Sequence, residues 1–179
     1  MTAVWEADNL AAAAKLAWQA ADLSGDDAAA RREFVFHAAV LAAMQLDSDG
    51  VDIALEALPP GGNELDDITA EALSLWAREN REGGGDPAVI AAVADRLAEL
   101  SRAAGSTERL TVALMLRVMR EIAASMFGNV DKLAQELCAL DGARFRGMSG
   151  TWRTAATIHG PVPVAGALPL VRELRDYPA

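Results

Sequence analysis

A chain of 179 residues is long enough to bury roughly 70% of its unfolded surface around one core, and a hydrophobic content of 52% excludes a disordered chain. Its single cysteine, Cys138, excludes an intramolecular disulfide, and a net charge of −10 disfavours broad binding to phosphate backbones. The charge is uneven: residues 1–100 carry 6 basic and 19 acidic side chains, whereas residues 101–179 carry 10 and 7.

The first predicted helix places Asp8, Lys15, Gln19 and Asp22 on one wet stripe, with Ala, Leu and Trp18 elsewhere, and ends at Ser24-Gly25. Asp26 and Asp27 stand at the next N-terminus, where negative charge suits the helix dipole. Residues 34–44 carry no charge, so that helix belongs in the interior. Asp47-Ser48-Asp49-Gly50 breaks it, a short helix follows over 51–58, and Pro59-Pro60-Gly61-Gly62 breaks the chain again.

Asn63 caps an amphipathic helix. Leu65, Ile68, Ala72, Leu75, Trp76 and Glu79 lie on one face of it, and Glu64, Asp67, Glu71, Ser74 and Arg78 on the other. Gly83-Gly84-Gly85 reads as a flexible joint, and Asp86-Pro87 restarts a helix that Gly105 ends. A second central helix begins at Ser106 or Thr107, is apolar from 110 to 116 apart from Thr111, and reaches about Phe127. Gly128-Asn129 interrupts, and Val130, Leu133, Leu137 and Leu140 mark one more helix.

After Asp141-Gly142 the character changes. Residues 142–170 hold five glycines and three prolines, so regular helix is not expected there; 152–158 and 162–165 are candidates for short strands. The reading is an all-α single domain: a bundle of six to seven helices over 1–141, and an irregular Gly/Pro-rich tail over 142–179 packing on the bundle or on a partner.

Localisation is expected to be cytoplasmic. Residues 1–8 are acidic with no basic leader, and the longest uncharged run, 154–171, is broken by three prolines and two glycines. Arginine outnumbers lysine 14 to 2 and alanine reaches 39, the composition of a GC-rich bacterial genome.

Several constellations carry possible chemistry. Glu64, Asp67 and Glu71 share one helical face, a geometry that can hold Mg²⁺ for a phosphate-bearing substrate. Glu64-Leu65-Asp66-Asp67-Ile68 resembles one half of the signature of all-α nucleotide pyrophosphohydrolases. The resemblance covers five residues, and a second helix would have to contribute through Asp95 and Glu99 or Asp131 and Glu136. Residues 45–56 overlay partly on a calcium loop, but Gln45 replaces its first carboxylate; a plain turn, with Asp47, Asp49 and Gly50 supplying its geometry, is the better reading.

Glu33 and His37, one turn apart, form a candidate buried polar pair, with His37 satisfied by Glu33 or a backbone carbonyl. Arg144, Arg146, Trp152 and Arg153 form the one basic-aromatic patch, a candidate interface.

The favoured reading is a non-enzymatic α-helical interaction module without a cofactor, pairing with itself or with another protein; nucleic acid and membrane are not expected partners. One version brings the acidic half of one copy against the basic half of another. The alternative is a helical-bundle enzyme or ligand binder using Mg²⁺ at Glu64, Asp67 and Glu71.

Overall fold

The computed structural model describes residues 2–140, 152, 153, 156 and 159, with side chains from residue 9 onward. Among them are seven α-helices and no strand: α1 (Thr2–Leu23), α2 (Ala28–Met44), α3 (Ser48–Glu56), α4 (Glu64–Arg81), α5 (Pro87–Ala104), α6 (Thr107–Ala123) and α7 (Phe127–Leu140). None is long and apolar enough to cross a membrane. The all-α bundle expected from periodicity is the observed architecture. Residues 3–116 form one compact unit, and a second begins at Arg117, inside α6.

In the first unit α4 packs against α2, α3 and α5, and α3 also lies against α2. The uncharged run of α2 is buried from Val35 to Met44 except at His37, and residues 110–116 of α6 are buried throughout. Trp76 of α4 and Leu97 of α5 are fully enclosed. Burial of such side chains contributes about 1.5–3 kcal/mol each.

The helix starts follow local chemistry. Asp27 accepts from the amides of Ala29 and Ala30 at 3.1 and 2.9 Å, and Asp47 accepts from Gly50 at 2.9 Å. Asp86 accepts from Ala88 at 2.8 Å, with Pro87 opening α5. Because Asp47 is a cap, Ser48-Asp49-Gly50 forms the first turn of α3 and the break lies one step earlier, at Gln45 and Leu46.

The triple glycine is a defined turn. Gly83 and Gly84 hold φ of +64° and +77°, which side chains with a Cβ disfavour. Gly85 leaves the space that the Glu79 carboxylate fills, and its amide donates to Glu79 Oε2 at 3.1 Å.

In the second unit the α6–α7 reversal differs from expectation. Ser125 takes φ of +57°, the Met126 amide donates to the Glu121 carbonyl at 2.8 Å, and α7 starts at Phe127. Gly128 and Asn129 thus lie in the first turn of α7. The Asn129 side chain is engaged there: its amide donates to Glu121 Oε2 at 2.8 Å. Of the tail, the described residues Trp152, Arg153, Ala156 and His159 are all helical, where Trp152, Arg153 and Ala156 had been candidates for a strand; the rest of that stretch lies outside the described residues.

Candidate functional site

The most connected group of charges lies in the first unit and begins with a helix cap. Asn63 and Asp66 form a reciprocal capping box at the start of α4. Asp66 is buried, and its Oδ1 accepts from Arg109 Nη2 at 2.8 Å while Oδ2 lies 3.9 Å from Arg32 Nη1. Arg32 also reaches the break before α4, donating to the carbonyls of Pro59 and Pro60 at 3.2 and 2.7 Å. Gly62 has no Cβ to press on the Asp66 side chain, so the loop closes over the network. Arg109 lies 5.2 Å from the Phe36 ring centroid, and its Nε is buried without a hydrogen-bond partner.

Glu33 and His37 both meet the first turn of α6, but not in the interior as expected. Glu33 accepts from Arg109 at 2.7 Å with its side chain 60% exposed, and His37 Nδ1 lies 2.5 Å from Glu108 Oε1 with both groups about one-third exposed. Burial starts at Val35, and this flank of α2 stays at the edge of the core. Within this network the least exposed charged side chains are Asp66, Arg32 and Arg109, at 9%, 11% and 12%. Sequence reasoning passed over the two arginines because their partners lie 34 and 43 residues away.

Glu64, Asp67 and Glu71 occupy one exposed face of α4, as their spacing predicted. Glu64 is bound by Arg96, whose Nε donates at 3.1 Å and whose Nη1 donates to Glu99 at 2.8 Å. Hydrogen bonds to Glu64 and then Glu99 hold that guanidinium above its ordinary pKa. Among the described residues no group of three or more His, Cys, Asp or Glu side chains is gathered as a metal site. Asp66, the middle of the five-residue resemblance, is engaged in the capping box and with arginine. Over the calcium-like stretch, Asp47 caps α3 while Asp49 and Asp52 meet Arg81.

Of the basic-aromatic patch, Arg144 and Arg146 lie outside the described residues. Trp152 and Arg153 are half-buried, and Arg153 Nε donates to Asp131 Oδ1 on α7 at 3.0 Å. His159 packs against Phe127, with ring centroids 5.3 Å apart.

The feature missed from sequence is on α1. Lys15, Gln19 and Asp22 are exposed as expected, yet Leu16 and Leu23 share their face, at 64% and 86% exposure. Ala17 and Ala21 occupy the buried side. Exposed Asn9, Ala12, Leu16, Gln19 and Leu23 follow steps of three, four, three and four, the a/d spacing of a coiled-coil seam. Placing Ala and Leu alike off the wet stripe concealed this: Ala17 and Ala21 face inward, and Leu16 and Leu23 outward. Elsewhere in the first unit, an open cleft of about 340 Å³ lies between the start of α2 and Pro59-Pro60, with Arg31 and Asp26 at its edge.

No known protein family, curated protein or solved structure matches the chain.

Proposed function

We propose that this protein is a non-catalytic helical interaction module that pairs with a second copy of itself through α1. The observation that carries the reading is the exposed seam that contains Leu16 and Leu23. Two large apolar side chains exposed seven residues apart on one face of a helix favour a partner helix over that face. The charged groups buried in the first unit support the same reading, since Arg32, Asp66 and Arg109 are tied to one another and to the loop before α4.

Burying the exposed parts of two leucines on each of two copies contributes about 6 kcal/mol, at roughly 2 kcal/mol per leucine. Association itself costs at least ~4 kcal/mol. A surplus of about 2 kcal/mol, raised somewhat by alanines and methylene groups beside the seam, makes the pairing weak, with a dissociation constant on the order of 1–10 mM.

Sedimentation equilibrium up to about 2 mM reaches the onset of that association. The average mass of the full chain should rise from 18.8 kDa toward twice that value. Leu16→Glu/Leu23→Glu should stay at the monomer mass with an unchanged helical circular-dichroism spectrum. A wild-type chain that remains monomeric, or a variant that associates equally well, overturns the proposal.

A further inference from the structure

The seam has flanks of unlike character, and they select an orientation. Lys15 and Asp22, both exposed, stand seven residues apart along the same edge of the α1 seam. Ala13 and Ala20, both half-buried, stand seven apart along the other edge. In a parallel pair of identical helices, each residue of the seam meets its own copy and Lys15 falls beside Ala20 of the second copy, leaving the lysine without an acidic neighbour on this helix. In an antiparallel pair, flanking positions on one edge meet each other across the symmetry axis. Lys15 then faces Asp22 of the second copy, and the contact occurs twice.

The same register fits the sizes along the seam. Leu23 falls opposite Ala12 of the second copy, so the most exposed leucine meets a small residue, and Leu16 falls opposite Gln19. Ala13 meets Ala20 on the inner edge, which lets two helices approach where each also lies against its own protein.

We infer that two copies pair through α1 in an antiparallel, two-fold arrangement, with Leu23 over Ala12 and Lys15 against Asp22 of the second copy. This rests on the self-association proposed above and specifies its geometry.

Charge reversal with rescue tests it on the full chain at low salt. Lys15→Glu should weaken association about tenfold, because two attractions become two repulsions. Lys15→Glu/Asp22→Lys should return it close to wild type. Disulfide trapping gives a second readout on a Cys138→Ala background. A mixture of Ala12→Cys and Leu23→Cys chains should cross-link to each other in preference to themselves. Loss with Lys15→Glu that the double variant does not restore, or cross-linking of each cysteine variant mainly to itself, overturns the antiparallel register. The self-association reading survives that result as long as Leu16→Glu/Leu23→Glu abolishes pairing. If the leucine variant still pairs, both fall.

Discussion

Asp66→Asn removes one charge while keeping an oxygen for the Asn63 amide, so the capping box survives and the ionic contribution is isolated. The side chains of Asp66 and Arg109 are only 9% and 12% exposed, and their contact is 2.8 Å. Leaving a buried charge without its partner costs about 3–5 kcal/mol. Arg109 keeps Glu33 at 2.7 Å and Arg32 keeps the two proline carbonyls, which moderates the loss to the lower end of that range, about 3 kcal/mol. For a unit of this size that corresponds to a fall in Tm of roughly 10 °C. Urea titration followed by circular dichroism measures it, with Asp67→Asn as the control. Asp67 is exposed next door, and its neutralisation should stay within about 0.5 kcal/mol of wild type. Arg109→Met removes the other charge together with the unpartnered Nε, so the double variant should be less damaged than the sum of the singles by about 2 kcal/mol. Strict additivity, or an Asp66→Asn protein as stable as the control, would refute the argument.

Two further outcomes follow from single side chains. Burial pushes the Glu121 carboxyl up, but hydrogen bonds from Asn129 and Arg120 and the charge of Arg120 outweigh it, and its pKa falls below the ordinary glutamate value. A depressed folded-state pKa means stability that is present above about pH 4.3 and is lost as pH falls through the folded value. Glu121→Gln should therefore flatten the acid limb of the stability profile, and an unchanged limb would contradict it. Gly85→Ala places a methyl group on the Glu79 carboxylate without straining the backbone, and should cost about 1–2 kcal/mol by displacing a buried hydrogen-bonded group. In a Glu79→Ala background the same change should cost almost nothing, as thermal melts of the four proteins would show.

What the sequence revealed and what it concealed divide along the range of the forces involved. Asp27, Asp47, Asn63 and Asp86 bind amides two or three residues away, so their helix starts could be read from neighbouring letters. The burial of 35–44 and 110–116 followed from uninterrupted apolar character. Asp66 was grouped with its exposed neighbours because its arginine partners lie in α2 and α6, and no local pattern announces a contact of 43 residues' separation. The α6–α7 join was misplaced for a related reason. Gly128-Asn129 has turn composition, yet the chain reverses at Ser125, where the Glu121 carbonyl and carboxylate collect the Met126 amide and the Asn129 side chain. On α1 the wet stripe of Lys15, Gln19 and Asp22 was legible, but not that Leu16 and Leu23 share its face. Ala17 and Ala21 serve as the inward face, and Leu16 and Leu23 are left outside.

The uneven charge supplies a way to tell what drives association. Residues 3–116 carry 8 basic against 20 acidic side chains, and the whole chain carries −10, so two copies repel at long range. Raising the salt from about 0.01 to 0.15 M shortens the screening length from roughly 30 to 8 Å and removes most of that repulsion. An apolar seam gains from this, and wild-type association should strengthen over that interval. The proposed Lys15–Asp22 contacts join two exposed side chains and should weaken, so the penalty of Lys15→Glu should shrink over the same range. Attraction between the acidic first part of one copy and the basic later part of another predicts the opposite, association that weakens steadily as salt rises. Sedimentation at several ionic strengths separates the two. A monotonic loss with salt would mean that opposite charge draws the copies together and that Leu16 and Leu23 are incidental to it.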